Sequence, residues 1–118
     1  MTREEFLSSL ENQKINFKIV EEIEKKYGFE ITEIVQRIIS ASVESVFFDD
    51  EWRTLSVDEI LNASENLHVD FEGQMLLPIV DTGENDFIVY HAEDNTWSKF
   101  NIIEECHFKA KKSVYEYF

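Results

Sequence analysis

Few residues in this sequence could act as nucleophiles or metal ligands. Cys106 is the single cysteine, and His107 follows it directly. A nucleophile and its base are normally brought together from distant parts of a chain, so this adjacency does not indicate catalysis. We interpret Cys106 as a half-buried thiol at the end of a strand. The histidines His68, His91 and His107 lack the spacing of metal ligands, and we interpret them as surface or boundary residues.

Carboxylates are abundant, but none of them forms a catalytic or metal-binding pattern. The segment from Asp81 to Asp86 lacks the alternating ligands and distal Glu of a calcium loop, and its residue types are typical of a hairpin turn. A glycoside hydrolase would need one defined pair among the 25 acids, and nothing selects that pair. The sequence also lacks a phosphate loop, a nucleophile elbow and a metalloprotease motif. We therefore predict a protein that is not an enzyme and that needs no metal and no cofactor.

The acidic excess restricts the possible partners. With 25 Asp and Glu against 11 Lys and Arg, the 118-residue chain has a formal net charge of −14. A nucleic-acid-binding surface must be basic to displace counterions from phosphate, and an anionic membrane surface would repel this chain. We expect no nucleic acid, no membrane and no small-molecule substrate as a partner. The excess favours a basic protein, because opposite potentials accelerate encounter.

The sequence also predicts a cytoplasmic location. A single cysteine cannot form an internal disulfide, and the segment from Met1 to Glu5 lacks the apolar core of a signal peptide. In addition, no apolar run approaches the ~20 residues that a membrane-spanning helix needs.

Three acidic clusters lie in predicted turns, and a tryptophan is next to two of them. Tryptophan is usually a core residue, but it is also enriched at hot spots of protein interfaces. Each cluster alone is explained by a solvated turn. The whole acidic excess is not, because repulsion among so many uncompensated negative charges destabilises the fold. Two explanations of the excess therefore remain open, namely solubility and a protein interface. The candidate partner-binding residues are Asp49, Asp50, Glu51, Trp52, Asp81, Glu84, Asp86, Glu93, Asp94 and Trp97.

Helix signals dominate the first part of the chain. Thr2 and Glu5 fit a capping box, in which each side chain satisfies a free amide of the other residue. Apolar residues at helical spacing then predict a second helix that ends at Gly28. Thr32 is expected to cap a third helix, and Ser56 to begin a further helix with its own capping box.

Strand signals dominate the remainder. Residues 46–55 predict two short strands around an acidic turn, and further strands are predicted at 75–80, 86–91 and 97–102. Pro78 places its strand at an edge or at a bulge. The strand at 86–91 is apolar on both alternations, which is typical of a central strand. Tight turns require antiparallel pairing. A last capping box at Ser113 predicts a terminal helix.

These elements predict an α+β fold, an antiparallel β-sheet meander with helices packed around it, in one domain spanning residues 1–118. The second half also resembles a known family, the SUKH superfamily of SMI/KNR-like domains, over about residues 46–118. The residues that carry the resemblance are Leu55–Leu61, Val69–Phe71, Leu77–Asp81, Gly83, Asn85–Tyr90 and Trp97–Ile102. The resemblance implies a SUKH-like α+β fold and a role without catalysis.

The resemblance also implies a function. Many bacterial members look like immunity proteins of polymorphic or contact-dependent toxin systems, which bind and neutralise a cognate toxin, often a nuclease. A nuclease must be basic to hold phosphate, and an acidic partner can cover that basic site. We therefore expect an immunity protein that binds a basic toxin domain. The alternative is a regulatory or scaffold module without a toxin partner, as eukaryotic relatives suggest, and a small hydrolase is the function that we favour least.

Overall fold

Helices form the first third of the chain, and strands form most of the rest. The computed structural model describes residues 1–49 and 52–113. Its helices are α1 (Arg3–Leu10), α2 (Phe17–Tyr27), α3 (Glu33–Ala41), α4 (Val57–Leu61) and α5 (Ala63–Leu67). Its strands are β1 (Phe47–Phe48), β2 (Trp52–Thr54), β3 (Leu76–Gly83), β4 (Asp86–His91), β5 (Thr96–Asn101) and β6 (Cys106–Lys111). The predicted α+β class is confirmed.

Local signals set the boundaries of the first helices. The Thr2 hydroxyl accepts a hydrogen bond from the Glu5 amide, and the Glu5 carboxylate accepts one from the Thr2 amide, each at 3.1 Å. This confirms the first capping box. Helix α2 ends at Gly28, whose φ of 80° suits a residue without a Cβ atom. Thr32 precedes α3 as predicted, but no amide among the described residues donates to its buried hydroxyl, so its side chain does not cap the helix.

The capping box at Ser56 is also confirmed. The Ser56 amide donates to the Glu59 carboxylate at 3.0 Å, and the Glu59 amide donates to the Ser56 hydroxyl at 3.2 Å. The single helix predicted here is divided into α4 and α5 at Asn62, whose φ of −111° and ψ of 13° are not helical. The Asn62 side chain donates to the carbonyl of Asp58 at 2.9 Å. Such side-chain bonds compete with the regular helix and explain the interruption.

The six described strands form an antiparallel sheet in sequence order, from β1 to β6. This is the predicted meander with one strand more than predicted, because the sequence pattern did not indicate β6. Strand β6 lies at the edge of the described part of the sheet, and Cys106 and Ala110 on it are exposed. With exposed residues at these alternating positions the strand has no continuous apolar face, so its sequence gives little periodic signal. The predicted helix after Ser113 lies outside the described residues.

Strand β3 contains Pro78, for which the sequence allowed an edge or a bulge. The strand lies between β2 and β4, and its register with β4 shifts between Pro78 and Val80, so Pro78 is at a bulge. The strand continues to Gly83 and shortens the predicted turn to Glu84 and Asn85. Both turn residues have positive φ, 53° and 68°, which is the geometry of a two-residue hairpin turn.

The core lies on both faces of β4. The residues from Phe87 to Tyr90 are all buried, as predicted for a central strand. The rings of Phe100 and Phe71 meet with centroids 6.0 Å apart, and those of Tyr90 and Trp97 meet at 5.2 Å. Because Phe100 pairs with Phe87 and Trp97 pairs with Tyr90, these two contacts lie on opposite faces of the sheet. In the two described ranges, no helix has the length and apolar character to cross a membrane.

Candidate functional site

Antiparallel pairing decides which turns lie together. In the strand order β1 to β6, successive turns alternate between the two ends of the sheet. The turns after β1, β3 and β5 therefore lie at one end, and the turn after β4 lies at the other. We give the name acidic end to five carboxylate residues at the first of these ends: Asp49, Glu84, Asp86, Glu104 and Glu105.

The sheet places Asp49, from the first predicted acidic cluster, at the same end as Glu84 and Asp86 from the second, and it separates the third cluster from them. Glu93 and Asp94 lie in the turn after β4, at the opposite end, and are not part of the acidic end. Of the first predicted cluster, Asp50 and Glu51 lie outside the described residues.

Two members of the acidic end were missed by the sequence analysis. Glu104 and Glu105 lie in the turn between β5 and β6, and this turn exists only because β6 returns along β5. The usable signal was the alternation of Cys106, Phe108 and Ala110 with more polar residues, which is a weak strand pattern.

The turn after β5 is held by one side chain. The side-chain oxygen of Asn101 accepts hydrogen bonds from the amides of Ile103, at 3.0 Å, and Glu104, at 2.9 Å. The amide group of Asn101 donates to the Asp86 carboxylate at 2.9 Å. Asn101 therefore fixes the turn and also joins it to β4.

The turns after β3 and β5 form a single unit. The Ile102 amide donates to the carbonyl of Asn85 at 3.0 Å and connects the two backbones. This unit exposes Glu84, Glu104 and an isoleucine, Ile103, whose exposed fraction is 72%. An apolar side chain among exposed carboxylates is the combination expected of a protein interface with an apolar centre and a charged rim.

The negative potential of this end is visible at Cys106. Partial desolvation by the surrounding turn, followed by the charges of Glu104 and Asp86, raises the pKa of the thiol above its usual value. Cys106 is exposed, so the predicted half-buried thiol is wrong. Cys106 is the first residue of β6, and its side chain is exposed to solvent. A raised pKa keeps the thiol protonated and weakly nucleophilic at neutral pH.

Asp49 and Trp52 lie at the start of the same end. Asp49 forms an ion pair with Arg3, and the Arg3 guanidinium also lies over the Trp52 ring at 4.6 Å from its centroid. The Lys99 ammonium lies over the same ring at 5.2 Å. Trp52 is half-buried, and its ring is a platform for two cations of its own chain.

Trp97 does not belong to the surface. Its exposed fraction is 3%, and its ring packs against Tyr90 in the core. Of the two interpretations left open for this residue, the structure supports the core residue. We therefore remove Trp97 from the candidate partner-binding residues, because a partner could reach its ring only by opening the sheet.

Asp81 is engaged by its own chain. Arg53 donates to both carboxylate oxygens of Glu59, at 2.8 and 2.9 Å, and to Asp81 at 3.4 Å. Burial alone would raise the pKa of Glu59, but hydrogen bonds from Arg53, the Ser56 amide and the Ser45 hydroxyl outweigh it and lower the pKa to about 2. These groups line a cleft of about 120 Å³. The Arg53 charge offsets one of the two negative charges, and its hydrogen bonds to both carboxylates hold β2, α4 and β3 together in what we call the Arg53 cluster.

Two histidines meet on the sheet at Ser98. His91 Nε2 lies 2.7 Å and His107 Nδ1 lies 2.9 Å from the Ser98 hydroxyl oxygen, and the two ring centroids are 4.7 Å apart. A hydroxyl next to an imidazole resembles a nucleophile with its base, but Ser98 is only 1% exposed and no substrate atom can reach it. The sequence did not predict this cluster, because β4, β5 and β6 each supply one member.

Burial and mutual proximity keep the two histidines neutral. Desolvation lowers the pKa of His91, although the charge of Asp94 acts in the opposite direction. Desolvation also lowers the pKa of His107, and the neighbouring His91 adds to this effect. Within residues 1–49 and 52–113, no group of three or more His, Cys, Asp or Glu side chains could hold a metal ion.

Comparison with known proteins adds no relative. No protein-family model, no curated protein and no solved structure matches this chain. The interpretation of the surface therefore rests on the chemistry of the acidic end and on the resemblance noted in the sequence.

Proposed function

We propose that the protein is an immunity protein of the SUKH type, which binds and neutralises a basic, nuclease-like toxin domain through its acidic end. The observation that carries the proposal is the convergence of the turns after β3 and β5. Together they place the exposed carboxylates of Glu84, Glu104 and Glu105 at one end of the sheet. The net charge of −14 gives the whole chain the same sign.

The attraction between the two proteins would be electrostatic. A nuclease active site is lined with cations that hold phosphate, and a rigid group of carboxylates can take the place of the phosphates. Long-range attraction also accelerates the encounter, and this acceleration decreases as salt screens it. Asn101 holds the backbone of the turn at Ile103 and Glu104, so little ordering of this loop is required on binding.

The size of the surface is compatible with a specific complex. Neighbouring strands are about 4.8 Å apart, so the turns after β1 and β5 are separated by about 20 Å. A standard interface covers roughly 800 Å² on each partner, which is a patch of comparable width. Ile103 supplies an apolar contact inside this patch, with an exposed fraction of 72%.

The experiment measures the rate of association with the purified protein that is encoded by the gene immediately upstream. We expect that protein to end in a small basic domain. The variant Glu84→Gln with Glu104→Gln removes two charges from the acidic end. The matched control, Glu93→Gln with Asp94→Asn, removes two charges from the opposite end. We expect the first variant to slow association by about tenfold at low salt, and the control to retain most of the rate.

Three results would contradict the proposal. One is the absence of a complex with the upstream protein, which would favour the regulatory or scaffold module. Another is an association rate that does not depend on salt. The third is an equal loss of rate in both double variants, because the net charge and not the acidic end would then be responsible. In cells that express the toxin, we expect protection to follow the association rate.

A further inference from the structure

The geometry of His91 and His107 points to a second site, independent of the acidic end. We propose that His91 Nε2 and His107 Nδ1 together bind one borderline divalent ion, Zn²⁺, Cu²⁺ or Ni²⁺, in place of their shared bond to the Ser98 hydroxyl. Imidazole nitrogen is a preferred ligand of these three ions. The site would lie on the face of the sheet that also carries Phe100.

The two nitrogens already converge on one point. They lie 2.7 and 2.9 Å from the same oxygen atom, and zinc–nitrogen bonds measure about 2.0–2.1 Å. Because both nitrogens lie within 2.9 Å of one atom, they are less than about 6 Å apart, whereas two zinc–nitrogen bonds at a tetrahedral angle need about 3.4 Å. Each nitrogen therefore has to move by about 1 Å, and the ion would lie on the solvent side of the Ser98 hydroxyl, because Ser98 itself fills the space behind it. Rotation of the two side chains about χ1 and χ2 provides such a movement without a change in the backbone.

The strand between the two histidines explains why they can meet. His91 is on β4 and His107 is on β6, two strand spacings apart, or about 10 Å. The small side chain of Ser98 on β5 lies between them, and both imidazoles contact its hydroxyl. A larger residue at position 98 would separate the rings. The convergence of the two histidines therefore depends on the residue at position 98, which the positions of the histidines in the sequence do not indicate.

The protonation and access of the pair suit a metal ion. Both pKa values are lowered, so each imidazole is neutral at neutral pH and has one nitrogen with a lone pair. The Ser98 hydroxyl can donate to only one of the two facing nitrogens, so the other ring has to move its proton to its second nitrogen before it binds an ion. His107 is exposed, which gives an ion a path from solvent. No third histidine, cysteine or carboxylate among the described residues completes the pair, so water would fill the other coordination positions. We therefore expect a weak, exchangeable site that fastens β6 to β4.

Cys106 and the acidic end are the two competing sources of metal binding. Cys106 is adjacent to His107 in sequence, but successive strand residues point to opposite faces of the sheet, so its thiol is not directed at the pair. Carboxylates bind hard cations such as Ca²⁺, which histidine does not bind well. The experiment separates both alternatives from the proposed site.

In the test, the Cys106→Ser protein is titrated with ZnCl2 and with NiCl2. The buffer contains about 5 mM CaCl2, which saturates weak carboxylate sites. We expect one ion per chain, with NMR shifts at His91 and His107 and none at His68. The variants His91→Gln and His107→Gln should each weaken binding by about tenfold or more. His68→Gln is the matched control and should bind like the parent.

Three outcomes would overturn the inference. They are an absence of zinc and nickel binding at submillimolar concentrations, binding that Ca²⁺ abolishes, and binding that both histidine variants retain. Amide exchange gives a second readout that does not depend on affinity. The amides of β6 should exchange more slowly with the ion than without it, and this protection should be lost in His107→Gln.

Discussion

Two groups of carboxylates lie near the same end of the sheet, and they are built differently. Glu59 and Asp81 share the guanidinium of Arg53, at distances from 2.8 to 3.4 Å. Glu84 and Glu104 are exposed in turns. Asp81 and Glu84 are only three positions apart in the sequence and were predicted as one cluster. Their difference shows that the role of a carboxylate is decided by the cation it meets, and not by its neighbours in sequence.

This difference assigns separate tasks to the two groups. The Arg53 cluster connects β2 to α4 and β3, so its charges are used to hold elements together. The acidic end leaves its exposed charges available to a second molecule. A change in the first group should therefore alter stability, and a change in the second should alter association. The predictions below test this division, beginning with the largest expected effect.

Arg53→Leu should have the largest effect on stability. The variant leaves Glu59 and Asp81 half-buried without their cation, which is more costly than loss of an exposed pair. Since the Arg53 side chain is 26% exposed, we place the cost between the buried and exposed cases, at about 2 kcal/mol. Urea unfolding followed by circular dichroism measures it.

The matched control for Arg53→Leu is Lys18→Leu, which removes an exposed cation from the first turn of α2. It should leave the unfolding midpoint almost unchanged, because a cation near a helix N-terminus is not stabilising. If both variants lower the midpoint equally, loss of positive charge in an acidic chain is the cause, and the Arg53 cluster has no special role.

The pH dependence of stability should report on Glu59. Its pKa is lowered to about 2 in the folded protein, so its contribution is present above the unfolded pKa of about 4.3 and is lost as the pH falls through 2. Because the side chain is 38% exposed, screening reduces the effect to the order of 1 kcal/mol. The Glu59→Gln variant should be less stable than the parent protein at pH 7. It should also lose less stability than the parent between about pH 4.5 and pH 2, which is the range between the unfolded and folded pKa values of Glu59.

Local interactions were predictable from the sequence, and the Arg53 cluster was not. Two of the three predicted capping boxes lie wholly within the described residues, and the structure contains both, each between residues three positions apart. The Arg53 to Asp81 pair spans 28 positions and depends on β2 lying beside β3. A charge pattern alone cannot indicate such a pair, because 25 acids offer many partners to each arginine.

The same reason limits prediction of the acidic end. Its members come from three turns, and the alternation of turns between the two ends of the sheet follows only from the strand order. Glu93 and Asp94 resemble the other clusters in sequence but lie at the opposite end. Glu104 and Glu105 were missed because β6 has only a weak apolar pattern, with exposed residues at Cys106 and Ala110.

Glu84→Gln with Glu104→Gln should have the smallest effect on stability. Both side chains are exposed, and the exposed carboxylates of an acidic chain repel one another. We expect the urea midpoint to stay the same or to rise slightly at low salt, and the difference to vanish at high salt as the repulsion is screened. A fall as large as that of Arg53→Leu would remove the distinction between the two groups, because the turn carboxylates would then also be holding the fold together. If the urea midpoint is unchanged while association with the toxin slows, the same two charges are dispensable for folding and required for encounter. Stability and association would then depend on different carboxylates of one protein.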